Sequence, residues 1–296
     1  MSLEPCSHYG KTPPCADAII KAGVARVGSA LADPNPEVAG AGHWRMAQNG
    51  VTVEVGIGAG EARHDNAGHI RRMTEGRPHT ILKLAVSADG KAGLSGRRPV
   101  QITGSAVRNH VHQMRATSDA VLTGIGTALS DDPLLTCRLP GMADRSPVRV
   151  VLDSGLRLPL DGRLVASARE VPLWVVTGDG APKDREQALQ ARGAEVLRVG
   201  STDGRLDLGS VLKALAGRGL TRLMIEAGPI VSAAFVKADL VDEAVVFRSP
   251  NAIGPDGIDA LEGLSLDALT ASPRLVMKGT EAVGADTVER FGREEK

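Results

Sequence analysis

The sequence predicts an α/β protein in two domains, the larger built on a mostly parallel sheet flanked by helices. Apolar runs of strand length alternate with helix-length stretches through the second part of the chain. A breaker at Gly76-Arg77-Pro78 separates that part from a shorter first part. The chain of 296 residues is also longer than one ordinary domain. We therefore expect one domain over 1–76 and a second over 77–296.

Strands and helices alternate along the second domain. The expected strands are Ile81–Ser87, Ala120–Thr123, Val148–Asp153, Leu173–Thr177, Glu195–Val199, Arg222–Glu226 and Glu243–Phe247. The expected helices are Ser105–Ala116, Lys183–Ala191, Leu208–Ala216 and Ile230–Ala238. Ligands on such sheets bind at the carboxyl ends of the strands, so the loops that follow them are the candidate site. The charged last stretch, 289–296, is expected to fray.

The first domain is expected to contain shorter elements of both kinds. They are a helix over Cys15–Ala22, a strand over Ala25–Ala30, a helix that ends at Asn49-Gly50, a strand over Val51–Val55 and a helix over Glu61–Arg72.

Composition excludes several classes of function. Lys plus Arg equal Asp plus Glu at 35 each, and 42% of residues are hydrophobic, which is unlike a disordered or nucleic-acid-coating chain. Aromatic residues make up 2%, too few for base-stacking platforms. No apolar run approaches the ~20 residues that span a bilayer. We expect a cytoplasmic protein that acts on a small molecule, with neither a nucleic acid nor a membrane as its partner.

A pair of cysteines near the N-terminus suggests a metal. Cys6 and Cys15 bracket a short loop, and Cys15 opens a predicted helix, whose N-terminus stabilises a thiolate. Catalytic zinc needs a third protein ligand and an open position for water. Zinc deaminases take that ligand from an upstream His-x-Glu helix, in which the Glu moves protons. No His-x-Glu precedes Cys6 in this sequence.

The segment Leu3–Cys15 is similar to the zinc motif of the riboflavin-pathway deaminases, in which a longer loop separates the cysteines than in other deaminases. This resemblance implies zinc bound by Cys6 and Cys15, in the C-terminal part of a cytidine-deaminase-like domain truncated at its N-terminus. Two interpretations stay open, an unmetallated pair or a weak or structural zinc site. His8 is either a loop histidine or a makeshift ligand. Without the general acid/base and one metal ligand, we expect no deaminase activity from the chain as given.

The second domain has three strand-to-loop junctions suited to a ligand. One is Ala88-Asp89-Gly90-Lys91 after the first strand, and another is the small-residue stretch Leu122–Arg138. The third is Glu226-Ala227-Gly228-Pro229 before a helix, where free backbone N–H groups suit a phosphate. A Gly-x-Gly without the rest of the Rossmann fingerprint does not by itself indicate a dinucleotide site.

Together and in this order, these segments resemble the reductase domain of the bifunctional riboflavin-biosynthesis deaminase/reductase family, which has a dihydrofolate-reductase-like fold. The resemblance runs from Leu3 to about Leu264. Its strongest pieces are Leu82–Gly90, Met114–Ala120, Thr127–Thr136, Val150–Ser154 and Glu226–Pro229. It implies NADPH-dependent reduction of 5-amino-6-(5-phosphoribosylamino)uracil, a phosphoribosylaminopyrimidine, to its ribitylamino product.

The resemblance also implies roles for individual residues. Those implied to contact NADPH are Ala85, Thr127, Asp131, Ser154, Gly228, Pro229, Ile230, Val231, Ser232, Ala233 and Ala234. Those implied to hold the substrate are Arg115, Leu135, Arg138 and Glu226. Arg115 and Arg138 suit its 5′-phosphate, because a guanidinium binds oxygens in pairs. Asp131 and Glu226 are the carboxylates placed for catalysis, to bind hydroxyls or to handle the proton, and the sequence does not divide these tasks between them.

Plainer interpretations of the same residues stay open. Arg115 also suits a solvated position in the last turn of its helix. Asp131-Asp132-Pro133 also suits an ordinary turn. Three positions depart from the family, which often has Trp at Gln101, Lys at Asn251 and a polar substrate contact at Pro99.

Other functions are compatible with the same pattern. One is a reductase of another pterin-like or pyrimidine-like compound, and another is a non-catalytic remnant that binds a nucleotide or a partner subunit. We also expect a homo-oligomer, since family members tend to associate and a truncated domain exposes apolar surface.

Overall fold

The computed structural model describes residues 1–10, 12–97, 100–202 and 204–294, so Pro99 lies outside the described residues. The chain divides into two compact units, Met1–His79 and Thr80–Lys296. The division falls close to the breaker at Gly76-Arg77-Pro78. None of the helices in the described ranges reaches the length and apolarity that crossing a bilayer requires.

The first unit pairs two short parallel strands with four helices. Its elements are α1 (Cys15–Lys21), β1 (Arg26–Ser29), α2 (Ala41–Gln48), β2 (Thr52–Val55), α3 (Ala59–Asp65) and α4 (Ala67–Glu75). β1 and β2 pair in parallel, with Arg26 opposite Thr52. The single helix expected over Glu61–Arg72 was wrong. Asn66 divides it into α3 and α4, since its backbone departs from helical geometry with φ of −96° and ψ of 10°.

The second unit contains a nine-stranded sheet. Its strands are β3 (His79–Val86), β5 (Ala120–Gly124), β6 (Val148–Leu152), β7 (Leu173–Gly178), β8 (Glu195–Val199), β11 (Arg222–Ile225), β12 (Glu243–Arg248), β14 (Val276–Val283) and β15 (Asp286–Gly292). The order across the sheet is β14-β15-β12-β3-β11-β5-β6-β7-β8. β5 through β8 pair in parallel, as do β11 with β5 and β12 with β3. β15 runs antiparallel to both β12 and β14.

Helices and small strand pairs surround this sheet. The helices are α5 (Ser105–Ala116), α6 (Ile125–Asp131), α7 (Arg163–Ala166), α8 (Lys183–Ala191), α9 (Leu208–Gly217), α10 (Pro229–Lys237) and α11 (Asp267–Thr270). β4 (Lys91–Leu94) pairs with β13 (Gly257–Asp259), and β9 (Ser201–Thr202) pairs with β10 (Arg205–Leu206). Short 3₁₀ turns lie at Ser95–Arg97 and Ala143–Arg145.

Successive residues of the central strands pack on opposite faces of the sheet. Leu122 of β5 and Val150 of β6 belong to one buried cluster, while their neighbours Val121 and Val151 belong to another. This is the period of two expected of a strand covered on both faces. The core is aliphatic, as the composition predicts.

Two expectations about local structure were wrong, and one hairpin was missed. The stretch Leu122–Arg138 is not one long loop, because α6 occupies its middle. The charged C-terminus does not begin to fray at Glu289, since β15 continues to Gly292 between β12 and β14. The hairpin of β14 and β15 was missed, since β14 is exposed along most of its length and lacks the apolar run on which the expectation relied.

Candidate active site

The candidate site lies where β3, β11, β5 and β6 end, side by side in the sheet. Glu226 follows β11 directly, and its N–H extends the pairing by donating to the Leu122 carbonyl of β5 at 2.9 Å. Ser154 follows β6, and Ala85 lies near the end of β3. The parallel strands therefore bring residues from distant parts of the sequence to one edge, as expected of such sheets.

A buried ion-paired cluster joins α5, β3 and the end of β11. Arg115 donates from Nε to Glu226 Oε2 and from Nη2 to Glu226 Oε1, both at 2.8 Å. Lys83 Nζ lies 3.9 Å from Glu226 Oε1 and 6.0 Å from the centre of the Phe247 ring. The side chains of Arg115, Glu226 and Lys83 are 10%, 18% and 15% exposed. Arg115 is therefore not the solvated residue that the plainer interpretation allowed.

The charges in this cluster set one another's protonation. Burial alone would raise the pKa of Glu226, but the Arg115 guanidinium and the Lys83 ammonium outweigh it and hold the pKa below its usual value. Glu226 is therefore an ionised acceptor of hydrogen bonds at neutral pH. Burial lowers the pKa of Lys83, Glu226 opposes this shift and Arg115 adds to it. Lys83 thus releases a proton more readily than a surface lysine.

The same helix holds the loop that contains the other predicted substrate residues, 132–138. The Thr136 carbonyl accepts from Arg115 Nη1 at 3.0 Å and lies 3.1 Å from His112 Nδ1. Leu135 takes a left-handed backbone conformation, with φ of 54°, and its side chain is buried in the core. A contact between Leu135 and a ligand must therefore come from its main chain.

Arg138 extends from this loop with its guanidinium unpaired among the described side chains. Arg115 keeps N–H donors on its terminal nitrogens beyond those that bind Glu226 and Thr136, since a guanidinium has more donors than these contacts use. The loop therefore offers an anion two guanidinium groups, of which one is already held rigidly.

On the other side of Glu226, α10 begins with Pro229 after the N-cap residue Gly228. The Gly228 N–H donates to Thr127 Oγ1 at 3.0 Å. The amides of Ile230 and Val231 in the first turn have no carbonyl partner within the helix. They point the positive end of the helix dipole at the site and suit a phosphate.

The remaining residues predicted to contact the cofactor differ in how far their side chains are exposed to solvent. Ser232 and Ala233 are buried, and Ser232 Oγ donates to the Ala227 carbonyl. Their side chains serve the core of α10, whereas Ile230 is 56% exposed. Asp131 ends α6, is exposed and accepts from Ser130 Oγ at 2.6 Å. The Ser154 carbonyl accepts from Thr177 Oγ1 at 3.1 Å, which joins the ends of β6 and β7.

Asp132 follows α6 with a left-handed φ of 39° and caps the next helix. Its Oδ1 accepts from the backbone N–H of Arg163, the first residue of α7, at 2.7 Å. Asp131 is the last residue of α6 and Asp132 its C-cap, so the segment Asp131-Asp132-Pro133 is a helix end rather than an ordinary turn.

Sequence reasoning missed two functional candidates, Lys83 and His112. A signal for Lys83 was present, since it is the one charged residue in the apolar run Ile81–Ser87. His112 follows Arg108 by four residues and precedes Arg115 by three, a spacing that puts all three on one face of a helix. Burial, followed by the charge of Arg115, lowers the pKa of His112, so it is a neutral anchor for the loop.

Two positions at which the sequence departs from the family, Gln101 and Asn251, make hydrogen bonds in the structure. Gln101 is exposed and donates to the Thr103 carbonyl. The Asn251 carbonyl accepts from the Ala88 N–H at 2.9 Å. Next to it, Asp89 accepts from Ser87 Oγ and from the N–H groups of Ile253 and Gly254, which lowers the pKa of Asp89 to about 2. The Asn251 segment is therefore tied to the turn after β3 by backbone contacts.

In the first unit, the predicted zinc residues lie side by side. A hydrogen bond with Cys6, followed by its charge, raises the pKa of the Cys15 thiol. Among the described residues, no group of three His, Cys, Asp or Glu side chains is arranged to hold a metal ion. The pair alone is an incomplete ligand set for zinc.

A cationic loop and a helix N-terminus lie at the edge of a mostly parallel sheet, which defines an α/β protein whose candidate site suits anionic ligands. A family model described as the RibD C-terminal domain matches residues 78–288. The riboflavin biosynthesis protein RibD of Escherichia coli is 36% identical over 299 residues, which cover 97% of this chain and 79% of that protein. RibD of Aquifex aeolicus is 35% identical, over 99% of this chain and 80% of that protein.

Solved structures of similar proteins have the same fold as this chain. Acinetobacter baumannii RibD has a TM-score of 0.85 at 32% identity, over 99% of this chain and 80% of that one. The Thermotoga maritima deaminase/5-amino-6-(5-phosphoribosylamino)uracil reductase has a TM-score of 0.82 at 31% identity, over 99% of this chain and 78% of that one. The Saccharomyces riboflavin biosynthesis reductase Rib7 shares the fold, with a TM-score of 0.58 at 18% identity. The chain belongs to the RibD family of riboflavin-biosynthesis proteins, and the predicted family and fold class are confirmed.

The junction of β5 and α10 supplies a test of the cofactor side. A Cβ at Gly124 would lie 2.7 Å from Val231 Cγ2, and a β-branched side chain has few alternative rotamers. We expect Gly124→Ala to displace the first turn of α10, at a cost of about 1–3 kcal/mol in stability. NADPH titrated into the protein should bind several-fold more weakly, as followed by fluorescence.

Gly217→Ala is the matched control, since Gly217 is an exposed residue of α9 and no atom lies within 4 Å of its added Cβ. It should leave NADPH affinity unchanged. Equal effects of the two substitutions would show that this junction does not shape the cofactor site.

Proposed function

We propose that this chain reduces the ribosyl group of 5-amino-6-(5-phosphoribosylamino)uracil to ribityl, with NADPH as the hydride donor. Family membership supports the proposal, because the Thermotoga maritima relative is named as a reductase of that compound. The observation that carries it is the buried cluster of Arg115, Glu226 and Lys83 beside the unpaired Arg138. This arrangement combines an anion site with a group that releases a proton.

The cofactor side suits a dinucleotide phosphate. The free amides of Ile230 and Val231 lie at the positive end of α10, and Thr127 fixes the turn before it. We assign Ala85, Asp131 and Ser154 to the same cofactor, at the ends of β3, α6 and β6. When bound, NADPH supplies a hydride to C1′ of the sugar.

The reaction requires one proton besides the hydride. Opening the ribose breaks the bond between C1′ and the ring oxygen, and the ring oxygen takes up a proton while C1′ and the attached nitrogen form an iminium. The hydride then adds to C1′ and restores a neutral amine. We assign the proton to Lys83, whose lowered pKa suits a general acid. Glu226, ionised and held by Arg115, positions Lys83 and accepts from substrate hydroxyls.

The phosphate is assigned to Arg138 and Arg115. Arg138 has the free guanidinium, and the donors that Arg115 retains are presented rigidly because Glu226 and Thr136 hold it. A rigid donor pair loses little conformational entropy on binding. The main chain at Leu135, held in its left-handed conformation, completes this side of the substrate site.

For the first unit, we propose the C-terminal part of a cytidine-deaminase-like domain over 1–76, followed by the reductase domain over 77–296. Cys6 and Cys15 would be its zinc thiolates. The described residues add no third ligand, so no deamination step follows from them. We propose no deaminase activity from the present chain, and release of ammonia from the diaminopyrimidine substrate by the purified protein would contradict this.

The reductase proposal is tested with cofactor deuterated at the transferring position of C4. We expect loss of the reduced-nicotinamide absorbance on adding substrate, and a product that carries one deuterium at C1′ of the ribityl chain by NMR. Cofactor oxidation with deuterium elsewhere, or none with a substrate of verified purity, would rule out the proposed reaction.

The role of Lys83 has its own test. Lys83→Gln should lower kcat by about 10²–10⁴-fold, the usual size of general acid catalysis. Because burial lowers the pKa of Lys83 from the ordinary 10.5, wild-type kcat should fall as pH rises through a value below 10.5. Lys83→Gln should lack this alkaline decline.

Lys213→Gln is the control, since Lys213 lies exposed on α9. It should retain wild-type kcat and the alkaline decline. A Lys83→Gln variant with the same pH profile as the wild type would remove Lys83 from the proton transfer.

A further inference from the structure

One face of α5 is turned towards the 132–138 loop. His112 and Arg115 both contact the Thr136 carbonyl, so their side of the helix faces the loop. Arg108 precedes His112 by four residues and therefore lies on the same face, one turn closer to the helix N-terminus. Arg108 is exposed, unlike the buried Arg115.

The loop is held from its other end by α7. The backbone N–H of Arg163 donates to Asp132 Oδ1 at 2.7 Å, and Arg163 Nη1 reaches the Asp132 carbonyl at 3.4 Å. The Arg163 side chain therefore contacts the first residue of the loop. Arg138 follows both attachments in the chain, two residues after Thr136.

Positive charge around Arg138 exceeds the negative charge that could balance it. Burial lowers the pKa of Arg138, and the charges of Arg115, Arg163 and Arg108 lower it further, with Glu226 as the opposing carboxylate. Glu226 is already bound to Arg115 by two hydrogen bonds. Within the described ranges, no carboxylate forms an ion pair with Arg108, Arg138 or Arg163. Neighbouring arginine side chains repel one another, and a bound anion would offset this repulsion.

We propose that Arg108 and Arg163 flank the phosphate bound by Arg138 and make the site selective for a phosphomonoester dianion. This inference rests on the proposed function, which places the substrate phosphate at Arg138, and it adds two residues that neither the sequence motifs nor the resemblance indicates. A phosphomonoester carries close to two negative charges and three acceptor oxygens at neutral pH. Arg138 and the partly engaged Arg115 do not fill that capacity, whereas the guanidinium groups of Arg108 and Arg163 would complete it.

The two residues act chiefly through charge, because both are exposed. Their contribution should therefore be moderate and weakened by salt. It should appear in substrate binding and leave the chemical step unaffected.

The test uses Arg108→Gln, Arg163→Gln and the double variant in the full chain. Each single variant should raise the KM for the phosphorylated substrate about three- to tenfold, within the range of exposed to partly buried charge contacts, with kcat and NADPH affinity unchanged. Inorganic phosphate should compete with the substrate, and its inhibition constant should rise in parallel. The double variant should show a weaker dependence of KM on ionic strength than the wild type.

Arg218→Gln is the matched control. Arg218 is an exposed arginine at the end of α9, where it pairs with Glu195 and lies 5.7 Å from the Trp174 ring centre. It should change none of these quantities. Arg108→Lys should retain most of the salt dependence, because it keeps the charge.

Phosphate binding is measured separately from turnover, so the two proposals fail in different ways. Calorimetric titration of inorganic phosphate reads the site in a chain that does not turn over. Binding by the wild type that weakens in Arg108→Gln and in Arg163→Gln supports the inference, whatever the outcome of the reductase assay. Binding that weakens only in Arg138→Gln, or no phosphate binding by the wild type, overturns it.

Discussion

The ion pair between Arg115 and Glu226 is the constraint on which the candidate site depends. Glu226 belongs to the end of β11, and Arg115 to the last turn of α5. Their two 2.8 Å hydrogen bonds fix the helix against the sheet edge. From there, Arg115 holds the Thr136 carbonyl and Glu226 holds Lys83. Both charges are mostly buried, so the loss of either partner leaves the other without compensation.

This pair also divides the site into two halves. On one side is the arginine-rich 132–138 loop, and on the other is the N-terminus of α10, which follows Glu226 after two residues. An anion can bind in each half through different donors, guanidinium groups in the first and backbone amides in the second. Lys83 lies near the Glu226 carboxylate between the two halves, where the proposed reaction needs a proton.

Much of the fold was predictable because its central strands are covered on both faces. Such strands appear in the sequence as continuous apolar runs, and β3, β5 through β8, β11 and β12 were located from them to within a residue or two at each end. The β14–β15 hairpin lacks that signal, since β14 is exposed along most of its length. The small residues of α6 suggested a loop, yet they form a helix whose last residue is the predicted Asp131.

Most residues of the candidate site could be predicted from the sequence, but the contacts between them could not. The resemblance indicated Arg115, Arg138 and Glu226, but sequence does not show that the first and last bind each other. That contact spans 111 residues and depends on the strand order. Gly228 illustrates the same limit, because the hydroxyl that takes its N–H comes from Thr127 on a different helix. Lys83 was overlooked because a lone lysine in an apolar strand is usually attributed to an exposed edge.

Glu226 is an ionised group that organises this site, and the stability of Glu226→Gln, measured by unfolding across pH, is the decisive test of this role. Since the pKa of Glu226 in the folded protein lies below the ordinary 4.5, its stabilisation should be complete above that value and disappear as pH falls through the lowered pKa. Glu226→Gln should therefore lose about 3–5 kcal/mol of unfolding free energy at neutral pH and progressively less in acid. The exposed Glu195→Gln should lose under about 1 kcal/mol. A loss at Glu226 that is no larger than this, or that is constant across pH, would contradict the account.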